Sequence, residues 1–297
     1  MIEIEVFMLG TSAAAPTKER NLSGIAIRYN GKTFLLDCGE GTQRQMLKYG
    51  LNIYKIEAIF LTHIHGDHVI GIAGLTRTLS LYGRTGKLRI YIPKGYSKAL
   101  SMLLHFDNPV LKYEIEIIEV GRGTIYSDEE VSVKAFALKH SVQTCGYSFE
   151  ERWRYRFTEK AKRLGIKGRE FSEIQKKGSI MLNGKNIKIR DVTELVEGRK
   201  VVYATDTRPV EATVRAGKGA DLIIHDASYT EEDKKLARER MHSTAAEAAK
   251  IAKKAGAKRL ILTHISTRYK DTKDNLKEAR EIFRNCDVAE DGMKVSL

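Results

Sequence analysis

The sequence predicts an α/β protein with layered sheets, and three observations carry that expectation. Short β-rich runs recur along the chain and close in polar residues, and helical patterns alternate with them. The 297 residues can bury a substantial core, as one large α/β domain or two small ones.

The elements follow in chain order. KTFLLDCGEG, residues 32–41, reads as strand then turn, and TQRQMLKYG after it reads as a helix closing on Gly50. Further strands are expected at 55–63, 87–93, 131–140, 199–206, 220–226 and 258–264. Helices are expected at 69–82, 95–104, 231–254 and 273–284. Residues 150–178 interrupt the series with charge, aromatics and glycines. Within 151–178, ten Lys or Arg stand against four acids, a net +6 out of the chain's +13. This stretch reads as an insertion projecting from the core, with Trp153, Tyr155 and Phe157 set among arginines. The competing reading is a solvated helical hairpin whose aromatics dock on the domain.

Composition narrows the function classes. Cys38, Cys145 and Cys286 are far apart and form no paired spacing, which argues against a disulfide framework or a cysteine zinc site. The start MIEIEVFMLG alternates acids where a secretory leader would be basic and then apolar, and no run approaches the ~20 apolar residues of a membrane span. The expectation is a soluble cytoplasmic protein with no membrane association. A charge of +13 points to an anionic partner.

The chemistry concentrates in AIFLTHIHGDHVIGIAGL, residues 58–75. His63 and His65, two apart at the end of a strand, point to the same side. Gly66 lets the backbone turn so that Asp67 and His68 come round from the next helix. Imidazoles with a carboxylate suit zinc. Four such groups cannot all serve one ion that keeps an open water position, so two metals are expected, each completed from elsewhere. Open α/β sheets gather ligands beyond the carboxyl ends of their strands, and His140, Asp206 and His264 close three strong β runs. Asp206, a carboxylate, is the expected bridge; His63, His65 and His140 would hold one ion, and Asp67, His68 and His264 the other. Of eight histidines, five fall in this motif or at a strand end, while His105 reads as structural or surface. Two ions imply hydrolysis, but do not choose among a phosphodiester, a lactam and a thioester.

At these residues the sequence resembles the metallo-β-lactamase superfamily, whose His-x-His-x-Asp-His signature reads here as His63, His65, Asp67 and His68. Within it the chain is most similar to the short form of the tRNase Z family. PTKERN (16–21), DCGEGTQRQ (37–45), LILTHISTRY (260–269) and HST (242–244) carry that likeness over essentially the whole chain, 1–297. The resemblance implies a four-layer αβ/βα sandwich, the metallo-β-lactamase fold, with a tRNA-binding arm at 150–190. It implies hydrolysis of precursor tRNA just 3′ of the discriminator nucleotide, removing the 3′ trailer and leaving a 3′-hydroxyl on the tRNA. Two zinc ions per subunit are expected, with manganese as the other candidate, in a cytoplasmic homodimer. Asp67 would help deprotonate the attacking water, and His242, supported by Asp226, would donate to the phosphate or leaving oxygen. Lys18 and Arg20 would place the acceptor stem, and the arm's Arg163, Lys167, Arg169, Lys176 and Lys177 would follow phosphates. Two departures stand out. HDAS, 225–228, replaces the family's His-Glu-Ala-Thr, so its acid is a methylene shorter, and LGIKGRE lacks the arm's Gly-Pro element. The alternative function is a small-molecule phosphodiesterase or other hydrolase on the same scaffold.

Overall fold

The computed structural model describes residues 3–108 and 110–297. Two seven-stranded sheets form its centre. From edge to edge the first comprises Lys294–Ser296, Glu5–Gly10, Gly24–Tyr29, Lys32–Leu36, Ile56–Phe60, Leu88–Pro93 and Ile115–Val120. The second comprises Cys286–Val288, Leu260–Thr263, Leu222–Asp226, Lys200–Ala204, Cys145–Glu151, Val131–Ala137 and Gly123–Ser127. Each is parallel in one half and antiparallel in the other, so the two halves of the chain repeat one plan.

Alternation along the strands fixes the layers. In Glu5–Gly10, Val6 and Met8 face the core between the sheets, while Phe7 and Leu9 face the helices outside. In Ile56–Phe60, Ala58 and Phe60 point inward and Ile59 outward; in Leu222–Asp226, Leu222 and Ile224 point inward and Ile223 outward. Such strands are buried on both faces, which is why they read as unbroken apolar runs. Helices Gly71–Leu81 and Ser97–His105 cover the first sheet, and Ala245–Ala255 covers the second. The result is helix, sheet, sheet, helix, the four-layer sandwich.

The projecting segment has its own architecture. Arg154–Phe157 pairs antiparallel with Thr193–Val196, and Ser179–Leu182 pairs with Lys185–Lys188. Helices Glu159–Arg163 and Arg169–Lys177 fold between them around Ala161, Ile166, Ile174, Ile180, Ile187 and Val192, a cluster separate from the three large cores. The arm is therefore a small β-and-α unit, not a helical hairpin. It spans 154–196 where 150–190 was expected, because residues 150 and 151 still belong to the strand Cys145–Glu151.

One helix expectation fails. The segment 231–254 is two helices, Lys234–Glu239 and Ala245–Ala255. Met241 adopts φ 60°, which ends the first, and the Thr244 side chain accepts from the Glu247 amide in a capping box that starts the second. The break holds His242. The other helices lie within two residues of the expected bounds at each end, and Ser97–His105 runs one residue past its expected close. No helix among the described residues is long and apolar enough to cross a membrane.

Candidate metal centre

The site forms where parallel strands of both sheets end. Ile56–Phe60 runs on to His63 and His65, and the short helix Gly66–Val69 carries Asp67 and His68. Lys200–Ala204 leads to Asp206, Leu222–Asp226 ends on Asp226, and Leu260–Thr263 leads to His264. His140 follows the strand Val131–Ala137. The short helix is held tightly from behind: Cys38 N donates to His68 O at 2.8 Å and Gly71 N to Cys38 O at 3.0 Å. A Cβ at Gly71 would lie 2.0 Å from the Gly39 carbonyl oxygen, so the close approach needs glycine.

The structure gathers the seven expected ligands into two groups joined by one carboxylate. His63, His65, His140 and Asp206 form the first, and Asp67, His68 and His264 the second. Asp206 Oδ2 lies 3.7 Å from both His63 Nε2 and His140 Nε2, and its Oδ1 lies 3.2 Å from both His68 Nε2 and His264 Nε2. Each oxygen thus faces a different group, the arrangement a bridging carboxylate requires.

The imidazole protons can be placed from their outer partners. Thr62 Oγ1 donates to Asp37, so His63 Nδ1, 3.0 Å from that hydroxyl, carries the hydrogen between them. His68 Nδ1 donates to Asp37 Oδ2 at 2.8 Å, and His140 Nδ1 to Met241 O at 3.2 Å. Ser228 Oγ donates to Asp226 Oδ1 at 2.7 Å, so His264 Nδ1 donates to Ser228 at 3.0 Å. Four Nε2 atoms therefore face the centre, oriented by second partners as metal-bound histidines are.

Those inward atoms fit cations. His68 Nε2 and His264 Nε2 are buried and make no well-aligned hydrogen bond, the carboxylate oxygen nearest both being Asp206 Oδ1 at 3.2 Å, a set of ligand atoms suited to a cation. His63 Nε2 and His140 Nε2 approach His65 Nδ1 at 3.0 and 3.4 Å, close to the separation of about 3.3 Å between ligands tetrahedrally placed on bonds of ~2.0 Å. Burial holds His63 and His140 below the ordinary histidine value, in the neutral form that binds metal. Against its own burial, His68 is pushed well up by Asp206 and Asp37, so the carboxylates of the centre draw positive charge inward.

Backbone strain collects here as well. Among the described residues eight non-glycines have positive φ, and Ala14, Asp37, Asp206, Met241 and His264 belong to this site. Ala14 N donates to Asp67 Oδ2 at 3.0 Å, which draws the loop before Pro16 against the centre.

His242 sits beside the ligands, its ring 5.1 Å from that of His264 and 5.0 Å from that of His140. Its Nδ1 donates to Asp226 Oδ2 at 2.8 Å, so the shorter acid reaches it fully. Asp226 also accepts from Thr207 N and from Ser228 N and Oγ, which leaves it no freedom to turn. Desolvation opposes protonation of His242, but Asp226 prevails and raises it to about 9. These groups open onto a cleft of about 550 Å³ lined also by Tyr229, Arg240 and Arg268.

The remaining expected residues lie outside that cleft. Lys18 is exposed on its loop. Arg20 is half-buried, and its Nη1 donates to Thr11 Oγ1 at 2.8 Å and Ala289 O at 2.6 Å, so it braces the loop. Arg163, Lys167, Arg169, Lys176 and Lys177 are exposed on the arm, Lys177 paired with Glu173 at 2.6 Å.

The chain is 41% identical to the ribonuclease Z of Methanothermobacter thermautotrophicus over 297 residues, covering 99% of this chain and 97% of the relative. It belongs to the ribonuclease Z family. Human tRNase Z, short form, superimposes with a TM-score of 0.73 at 29% identity, covering 98% of both chains. The metallo-beta-lactamase fold protein YhfI of Bacillus subtilis, at 19% identity, shares the fold with a TM-score of 0.74 over 100% of both chains. Residues 4–155 match a family described as Anti-Pycsar protein Apyc1, and 192–265 match the beta-lactamase superfamily domain. The interval between the two matches falls within the arm.

Sequence reasoning missed Asp37. This buried carboxylate accepts from Thr62, His68 and, at 3.0 Å, Tyr203 Oη. Its position at the end of the strand Lys32–Leu36, like the ligands at their own strand ends, was the available signal.

Proposed function

We propose that the chain removes the 3′ trailer from precursor tRNA, cutting just 3′ of the discriminator nucleotide. It is a metal-dependent endoribonuclease of the ribonuclease Z family. The observation that carries the reading is the Asp206 carboxylate set between two histidine groups, one oxygen toward each, in a chain 41% identical to a ribonuclease Z over nearly its full length. His63, His65 and His140 would hold one zinc ion and Asp67, His68 and His264 the other, with Asp206 shared. Ions so held supply Lewis acidity toward a phosphoryl oxygen and make water a nucleophile at neutral pH.

The protein groups do the rest. Asp67 Oδ2 is held by Ala14 N, and the carboxylate borders the cleft, where it takes the proton of the attacking water. His242, protonated through Asp226, presents Nε2–H to the leaving O3′. Water oxygen bonds to phosphorus, the P–O3′ bond breaks, and the proton from His242 completes the 3′-hydroxyl. The trailer leaves with a 5′-phosphate.

The arm's exposed cations supply sequence-independent phosphate contacts suited to RNA recognised by shape. A homodimer is supported by apolar side chains on the outer helices of the first sheet. Leu47, Tyr54, Leu81, Tyr82, Met102 and Phe106 are all exposed there, and the Tyr54 and Tyr82 rings lie 6.1 Å apart. A second copy would cover this face.

The test is cleavage of a 3′-extended precursor tRNA by wild type and His65→Ala, before and after chelation and zinc return, with the cut mapped to one nucleotide. A single cut after the discriminator, lost in the variant and on chelation, is expected. Hydrolysis of small esters without RNA cleavage would overturn the substrate assignment.

A further inference from the structure

Beyond His242 the cleft wall continues as an ordered row. The Tyr229 ring centroid lies 6.2 Å from that of His242, and the Arg268 guanidinium lies over Tyr229 at 5.3 Å. Arg268 Nη1 also pairs with Asp233 Oδ1 at 2.7 Å. Asp233 in turn accepts from Tyr269 Oη at 2.5 Å, and Thr230 N donates to that hydroxyl at 3.0 Å. One face and one edge of the guanidinium are thus fixed by the protein. Its side chain is still 41% exposed and lines the cleft that holds Asp67, Asp206 and His264. A planar cation anchored in this way keeps its remaining N–H edge aimed outward, which suits a phosphate oxygen.

Chemistry says which phosphate. In an in-line displacement the attacking water and the leaving oxygen lie on opposite sides of phosphorus. On the functional reading above, on which this inference rests, His242 faces the leaving O3′. The nucleotide that owns O3′ is the discriminator, so it extends away from the metal ligands, past His242. Tyr229 is the ring beside His242 on the cleft wall, and Arg268 lies over Tyr229. We propose that Arg268, braced by Tyr229 and Asp233, grips the phosphate on the 5′ side of the discriminator nucleotide and so positions the leaving group. Because the grip is on the backbone, it is independent of the discriminator base.

The test uses precursor tRNAs carrying one neutral methylphosphonate, placed either at that phosphate or one linkage further into the acceptor strand. Wild type, Arg268→Ala and Arg268→Lys are compared on each. With the unmodified precursor, kcat/KM of Arg268→Ala should fall roughly ten- to a hundredfold, as expected when a charge-assisted hydrogen bond is removed. Neutralising the 5′ phosphate should cost wild type a similar factor and Arg268→Ala almost nothing further, since one interaction cannot be removed twice. The control linkage should affect all three proteins alike. Arg268→Lys keeps the charge and loses the fork, so it should fall between the two. It also decides the matter if the alanine variant does not fold. Equal methylphosphonate costs in wild type and both variants would overturn the inference while leaving the ribonuclease reading standing. Failure of wild type to cut the unmodified precursor would bring down both.

Discussion

Glu151 and Arg199 close the root of the arm. Arg199 Nη2 donates to Glu151 Oε1 at 2.7 Å, its Nε donates to Oε2 at 2.8 Å, and Tyr29 Oη adds a bond to Oε1 at 3.0 Å. Glu151 lies just before the arm and Arg199 just after it; the Glu151 side chain is buried at 3% exposure and the Arg199 side chain is mostly covered at 11%. The arm is therefore tied at its base by a bidentate pair.

Removing Glu151 takes away its carboxylate's bonds to the Arg199 guanidinium, while Arg199 Nη1 still donates to Leu297 O. Glu151→Ala should cost about 1.5–3 kcal/mol, the scale of losing charge-assisted hydrogen bonds, read by denaturant titration. A loss under about 1 kcal/mol would show that the pair does not hold the root. The pH dependence has a definite sign. Desolvation raises the Glu151 carboxyl, but Arg199 prevails and holds it below its ordinary 4.5. The contribution is therefore complete above pH 4.5 and fades as pH falls through the lowered value. In Glu151→Gln that acid-side loss should disappear.

Asp226 should control the proton on His242. In metal-free protein the His242 ring is raised from 6.5 to about 9, Asp226 outweighing desolvation. Its contribution to stability is complete below pH 6.5 and is lost as pH rises through about 9. NMR titration of chelated protein should place the midpoint near that value, and Asp226→Asn should lower it. The same substitution should reduce turnover roughly 10²- to 10³-fold, the scale of losing one donor to developing negative charge. An unchanged His242 midpoint in Asp226→Asn would remove Asp226 from this role.

Asp37 touches no proposed metal, yet it fixes the His68 ring through a 2.8 Å bond to Nδ1. Asp37→Asn should weaken metal affinity by about 10–100-fold, measured by competition with a chromogenic chelator. Asp206→Ala removes the carboxylate shared by both groups, so metal analysis should find both positions weakened. Loss of one ion with the other held at wild-type affinity would contradict the bridge.

What was legible in the sequence follows from the same physics. Strands buried on both faces announce themselves as apolar runs, and the ends of those runs mark His63, Asp206 and His264 in the sequence itself. The break at His242 was hidden because EEDKKLARER and AAEAAKIAKK each carry a helical pattern, and the left-handed turn at Met241 has no glycine to flag it. The Thr244 to Glu247 capping spacing was readable and locates the second helix start. Asp37 stayed obscure because its role lies in hydrogen bonds with Thr62, His68 and Tyr203, the last of them from the other sheet. The arm's core was masked by charge. Ile166, Ile174, Ile180 and Ile187 are spaced among lysines and glutamates, so the segment reads as surface until its hairpin is seen.

The arm's boundaries determine how its function can be tested. A deletion of 151–178 would remove Glu151 and leave Thr193–Val196 without its partner strand. Arg154 pairs directly with Val196, so the chain ends at 153 and 197 lie about one strand spacing apart, roughly 5 Å. Replacing 154–196 by a short turn should leave the three large cores intact, because the arm packs around a cluster of its own. Affinity for precursor tRNA should fall at least about tenfold at moderate salt. The slope of log affinity against log salt should also become shallower, by about 0.7–0.9 for each phosphate the protein no longer neutralises. Alanine at Arg163, Lys167, Arg169 and Lys176 together should reproduce most of that change, since Lys177 is already paired with Glu173. A slope identical to wild type in both variants would mean that the arm's positive charge is solvated surface and that tRNA is held elsewhere.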